Sequence, residues 1–215
     1  MLSHDEEAFV RLQNPFAALS PSGIDSQVLL VLARTDRQLS VQQIHSLLPE
    51  EGSRTAVQNS VARFVEQGTV LEQQIGRSRA FALNDQHLLA EPIRQIAASK
   101  QLLVRRLAGA IADWPVQPLT VMIFGSAARS DMRSDSDIDL LIVLPDAVDE
   151  ASGDELVGDL AARATAWTGN DVRPLVYQAG EVQPAGVFDA IIEEGLNVAG
   201  DPAWLRRRLR RRDAA

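Results

Sequence analysis

Apolar residues recur at helical spacing in the first part of the chain and gather into short uninterrupted runs further on, which predicts two differently built parts. A helix is predicted from Ile24 to about Arg34, with Val28, Leu29 and Leu32 at core spacing. Leu39-Ser40-Val41 leads into a second helix ending at Leu48, with Ile44, Leu47 and Leu48 apolar. Pro49-Glu50-Glu51-Gly52 breaks it, and Ser53 is a good N-cap for a third. That third helix buries Val57, Val61, Phe64 and Val65, leaves Arg54, Gln58, Asn59 and Arg63 on its other face, and stops at Gly68. T-V-L-E-Q-Q-I, a tight G-R-S-R and A-F-A-L-N then predict a hairpin with Arg77 and Arg79 at its tip.

From Pro92 to about Trp114 the pattern reads as one long helix, with Ile93, Ile96, Ala97, Leu102, Leu103, Leu107 and Ile111 apolar. Pro115 and Pro118 end it. Strands are expected at Leu119–Phe124, Ile138–Leu144 and Val172–Tyr177, with an acidic helix from about Glu150 to Trp167 and another around Phe188–Glu194. The runs V-M-I-F and L-L-I-V suit strands covered on both faces. Asp201-Pro202 has the form of an N-cap followed by Pro at the first helical position, so a last helix is expected there. This order divides the chain into residues 22–90, a linking helix over 91–117, a lobe over 118–200 and a basic end over 201–215.

The chemistry concentrates between two of the apolar runs, in F-G-S-A-A-R-S-D-M-R-S-D-S-D-I-D-L-L-I-V, Phe124 to Val143. Gly125 has no Cβ and lets backbone approach phosphate oxygens, Ser126 adds a hydroxyl, and a helix opening at Ala127 directs N–H groups at an anion. In an extended strand Asp137 and Asp139 fall on one face, with Ile138 and Leu140 on the other. Two hard oxygen ligands on a rigid strand suit Mg²⁺ together with substrate phosphates.

Gly-Ser, ten residues and Asp-x-Asp is also the signature of the minimal nucleotidyltransferases of the DNA polymerase β-like superfamily, which the segment from about Leu119 to Gly200 resembles. The resemblance implies that Gly125 and Ser126 contact a triphosphate and that Asp137 and Asp139 bind two metal ions, Mg²⁺ or Mn²⁺. Arg129 stands where family members place an arginine near the phosphates; pairing with a nearby aspartate is the alternative. The family's third carboxylate lies on a later strand, in Val-Asp-Leu-Val. Here that strand reads V-R-P-L-V-Y, so Asp171, just before it, is the nearest substitute, with Glu181 following. The first part resembles a winged helix-turn-helix. That resemblance implies DNA contacts from Arg54, Gln58, Asn59 and Arg63 in the major groove and from Arg77 and Arg79 at the wing. A winged helix that mediates protein contacts is the other reading. The fold expected is therefore α+β in two domains, a winged helix and a polymerase-β-like lobe with a mixed sheet.

Charge refines this picture. The net charge of −8 over 215 residues argues against a protein that coats nucleic acid. Its distribution is uneven: Pro118 to Gly200 holds 15 acidic and 4 basic residues, Ser22 to Asn84 holds 6 of each, and Asp201 to Ala215 holds 2 and 6. An acidic lobe suits carboxylates neutralised by divalent metal but repels free nucleic acid, so a DNA grip has to come from elsewhere. The arginines from Arg206 to Arg212 form either a solvated basic tail or a contact for nucleic acid or an acidic partner. With no cysteine, disulfides, cysteine nucleophiles and thiolate zinc sites are excluded, which fits a reducing cytoplasm. The acidic start lacks the pattern of a signal peptide, and no apolar run approaches a membrane span.

Two functions follow as expectations. In the first, a magnesium-dependent nucleotidyltransferase moves a nucleoside monophosphate from a triphosphate, ATP by first expectation, to a hydroxyl or amine on a protein, a transfer RNA or a small molecule. The winged helix then brings the lobe to DNA, with a second copy of the chain as a further partner and antitoxin-like regulation as the context. In the second, the lobe senses nucleotide for a transcriptional regulator without turnover.

Overall fold

The computed structural model describes Phe16, residues 23–129 and residues 137–212, with side chains up to Arg210. The described chain forms two compact units that divide between Lys100 and Gln101.

In the first unit α1 (Ile24–Ala33), α2 (Val41–Ser46) and α3 (Arg54–Glu66) enclose a core of Val28, Leu32, Ile44, Val57 and Val61. The sequence sets these helix starts locally. Ser40 caps α2 in a reciprocal box with Gln43, and the Ser53 hydroxyl accepts from the Ala56 N–H at 3.1 Å. β1 (Val70–Ile75) and β2 (Ser78–Leu83) form an antiparallel hairpin pairing Val70 with Leu83 and Ile75 with Ser78. Two residues, Gly76 and Arg77, turn it, and Gly76 takes the positive φ (59°) that such a turn requires. Leu39 bridges to Phe81, adding a third short strand at the base of this wing. The unit thus has the expected winged helix-turn-helix arrangement. Leu29 lies on a second small core with Phe16, Leu30, Leu83, Ile93 and Ala97.

The expected long helix is two. α4 (Ala90–Ala97) ends at Ala98, whose N–H returns to the Arg94 carbonyl, and α5 (Ser99–Ala112) starts afresh. Apolar spacing continues through the break, so periodicity alone does not reveal it.

The second unit is built on a four-stranded mixed sheet of order β5-β4-β3-β6. β3 (Thr120–Phe124) pairs antiparallel with β4 (Ile138–Leu144), with the short α6 (Ser126–Arg129) following β3. α7 (Glu150–Thr168) crosses over to β5 (Val172–Gln178), which lies parallel to β4 at the sheet edge. Asp149 caps α7 through the Ser152 N–H, and Gly169 closes it with φ 76°. α8 (Gly186–Glu194), β6 (Leu196–Gly200) and α9 (Trp204–Arg212) complete the unit, β6 pairing antiparallel with β3. Met122, Leu141 and Val143 meet Phe188 and Ile191 of α8 and Leu205 and Leu209 of α9 on one face. Val121, Ile123, Leu140 and Ile142, pointing the other way, are also fully buried, so β3 and β4 are covered on both sides. Arg106 of α5 and Arg163 of α7 both lie over the Trp167 ring, 5.7 and 5.4 Å from its centroid.

This is the mixed-sheet lobe expected. The five-residue strand β6, which runs from Leu196 to Gly200, is not among the expected elements. The last helix begins later than expected: Asp201 accepts from the Ala203 N–H, and α9 starts at Trp204. No helix among the described residues is long and apolar enough to cross a membrane.

Candidate nucleotide and cation site

The site lies where β3 ends and where β4 and β5 begin, on the sheet face covered by α8 and α9. Register puts it there. Phe124 is opposite Asp139 in the β3–β4 pair, and Asp139 is opposite Arg173 in the parallel β4–β5 pair. Side chains alternate along a strand, so Asp139 shares its face with Leu141 and Val143, while Arg173 shares it with Leu175 and Tyr177. Asp137 and Asp171 lie two residues earlier on the same side, and the Ile138 N–H bonds the Asp171 carbonyl at 2.8 Å.

Gly125 turns the chain directly after β3 with φ 69°, a conformation that L side chains avoid. A Cβ built there lies 2.5 Å from Asp139 Oδ2. The glycine is therefore required by the approach of a carboxylate as well as by the turn. The Ala128 and Arg129 N–H groups both donate to the Gly125 carbonyl at 3.2 Å, so α6 opens at Ser126, one residue earlier than expected. The intervening residues 130–136 of the Gly-Ser to Asp-x-Asp spacing lie outside the described residues.

Asp137 is 27% exposed and pairs with Arg173, Oδ2 to Nη1 at 2.5 Å. Arg173 also donates from Nε to Asp171 Oδ2 at 3.1 Å, and both of those side chains are largely exposed. Burial pushes the Asp139 carboxyl above its ordinary range, the charge of Asp137 adds to this, and Arg173 opposes it. A carboxyl raised by burial and by a neighbouring carboxylate is chemically suited to a hard cation, which relieves that repulsion. In that sense Asp137 and Asp139 fit Mg²⁺. Among the described residues no group of three or more acidic, His or Cys side chains converges as a metal cluster.

Arg129 reaches across to α8, with Nη1 2.8 Å from Glu194 Oε2. One acidic partner is thus a glutamate of another element, while the nearby Asp131 and Asp135 lie outside the described residues. Asp171 joins Asp137 through the shared Arg173. Glu181 lies elsewhere, beyond the far end of β5, accepting from the Gln178 N–H. Sequence reasoning missed Arg173. Its signal was available: V-R-P-L-V carries an arginine in the strand that lacks the pattern Val-Asp-Leu-Val.

In the first unit Arg54, Gln58, Asn59 and Arg63 are exposed on α3, and Arg77 and Arg79 are exposed on the wing. Arg63 is held by Asp25 of α1 at 2.5 Å, and Arg79 lies 3.5 Å from Glu72 across the hairpin.

Residues 104–184 match the nucleotidyltransferase domain family. Among solved structures the chain is similar to the toxin–antitoxin complex MntA-HepT, at 16% identity, covering 53% of this chain and 84% of that one, with a TM-score of 0.37. It is also similar to a tri-AMPylated Shewanella oneidensis HEPN toxin in complex with MNT antitoxin, at 15% identity over 54% and 87% of the two chains, TM-score 0.36. A candidate nucleotidyltransferase from Sulfolobus solfataricus shares 22% identity over 46% and 82%, TM-score 0.29. Comparison with curated proteins found no match.

Proposed function

With residues 104–184 forming a nucleotidyltransferase domain, we propose that this chain binds a nucleoside triphosphate with Mg²⁺ at the Gly125–Asp139 corner and transfers its nucleoside monophosphate to an acceptor. One observation carries the reading: a left-handed glycine turn presses against one of two carboxylates that share a sheet face. Gly125 and Ser126 receive the phosphates, and Asp137 and Asp139 hold the cation. A bound Mg²⁺ supplies charge neutralisation for the phosphate oxygens and the leaving pyrophosphate. An acceptor hydroxyl or amine attacks the α-phosphorus, the α–β bridging bond breaks, and pyrophosphate departs. Asp171, exposed on the same face, takes the acceptor's proton. The winged helix positions this lobe on DNA through the exposed face of α3 and the wing.

The test is incubation of the chain with α-labelled nucleoside triphosphates, Mg²⁺ and cell extract. Label passing to a macromolecule or small molecule, and lost in Asp137→Ala and Asp139→Ala, supports transfer. Absence of any transferred label rejects it.

A second reading has its own observation. Arg173 stands beside Asp139 on a strand that lacks the family's Val-Asp-Leu-Val acid, which favours a lobe that binds nucleotide and reports it to a regulator without turnover. Nucleotide binding with no transfer in the same assay selects that reading.

A further inference from the structure

We propose that Arg173 is a built-in counter-cation, occupying the place beside Asp137 and Asp171 that a second divalent ion needs, so that the corner takes one divalent cation with its triphosphate. This rests on the reading of Asp137 and Asp139 as the cation and nucleotide site.

Four side chains share the face at the start of β4 and β5. Asp137, Asp139 and Asp171 are three acids, and Arg173 is the guanidinium set beside them. The guanidinium already offsets part of the negative charge that would draw a second divalent ion. The guanidinium suits this role by shape. It uses Nη1 for Asp137 at 2.5 Å and Nε for Asp171 at 3.1 Å, bridging two carboxylates as a metal ion would, whereas an ammonium offers a single point of charge.

The backbone holds Arg173 in place. Pro174 follows it, and a residue before proline is kept in the extended region, so Arg173 stays directed to this face. Pro174 is tolerated because β5 is an edge strand and one of its sides has no ladder to lose. The parallel register with β4 then fixes Arg173 beside Asp139. The dipeptide Arg173-Pro174 therefore places a cation on this face and secures its orientation.

Manganese serves as the probe, because free Mn²⁺ is counted by its electron paramagnetic resonance signal. The full chain is titrated with Mn²⁺ with and without a non-hydrolysable ATP analogue, in the native form and as Arg173→Gln, Arg173→Lys and Asp139→Asn. Native protein is expected to take one Mn²⁺ per chain in the presence of the analogue. Arg173→Gln should bind Mn²⁺ about tenfold more tightly, since a unit positive charge close to a divalent ion is removed, or admit a second ion. Arg173→Lys, which keeps the charge without the two-pronged contact and guards against a folding artefact, should fall between native and Arg173→Gln. The inference is overturned if native protein takes two ions, if Arg173→Gln neither binds more tightly nor admits a second ion, or if the lysine variant tightens as much as the glutamine. Asp139→Asn separates the two levels. Loss of Mn²⁺ binding there with a neutral Arg173→Gln removes this inference alone, whereas unchanged binding in Asp139→Asn removes the site itself and the inference with it.

Discussion

Gly125 and Asp139 interlock: the turn after β3 holds φ 69°, and the place of a Cβ on Gly125 lies 2.5 Å from Asp139 Oδ2. A methyl group therefore meets both backbone strain and a carboxylate. Gly125→Ala is expected to cost about 1–2 kcal/mol from the left-handed backbone alone. It should also displace Asp139 and so weaken triphosphate binding. Urea unfolding and nucleotide titration of the variant measure the two effects separately. Unchanged stability and affinity would show that the turn tolerates a side chain.

The raised Asp139 carboxyl has a consequence for stability against pH. Its causes are burial first and Asp137 second, with Arg173 opposing. A carboxyl bound to its proton more tightly when folded than when unfolded favours folding at acidic pH, and that contribution is lost as pH rises through the folded value. Asp139→Asn should therefore make the ligand-free chain more stable near pH 7, with a smaller difference from native at an acidic pH below the folded value, where the native carboxyl is protonated. Denaturant midpoints at the two pH values check this. A destabilising substitution at neutral pH would mean that the charged form is favoured in the fold.

Leu141 is fully buried and packs on the α8 and α9 side with Phe188 and Ile191. Leu141→Ala should cost about 2–5 kcal/mol, the range for a large apolar side chain removed from a packed core. It lies two residues beyond Asp139 on the same face, so nucleotide affinity should fall along with stability. Equilibrium unfolding gives the first quantity and titration at a temperature below the melting transition gives the second.

On the first unit, Arg54 and Arg77 are the test of DNA contact. Substituting either with alanine should weaken binding to a DNA fragment selected from a random pool, and should reduce the salt slope by about one for each phosphate contact removed. Fluorescence anisotropy across a salt series reads it. Affinity insensitive to both arginines and to salt would leave the winged helix as a protein-contact module.

The corner was legible in sequence because its ingredients are local. Gly125-Ser126 ends an apolar run, and Asp137 and Asp139 fall on one face by the two-residue period of a strand. The winged unit was legible because Ser40, Ser53 and Gly76 are caps and turns that act on neighbouring residues. Arg173 escaped because its role depends on which strands lie side by side, and parallel pairing across α7 is a tertiary fact. β6 escaped for a similar reason: Leu196 to Gly200 is a strand because β3 presents an edge to it, and the five residues carry little pattern of their own. The break at Ala98 lies between two stretches of continuous helical periodicity, so apolar spacing has nothing to report there.

The most direct measurement is calorimetric titration of the chain with a non-hydrolysable ATP analogue, with and without Mg²⁺, in native, Asp137→Asn and Asp139→Asn forms. A nucleotide and cation site at the Gly125–Asp139 corner requires binding that needs Mg²⁺ and is lost in both variants. Binding that ignores the cation and survives both substitutions, or no binding of any nucleoside triphosphate by the native chain, would contradict it.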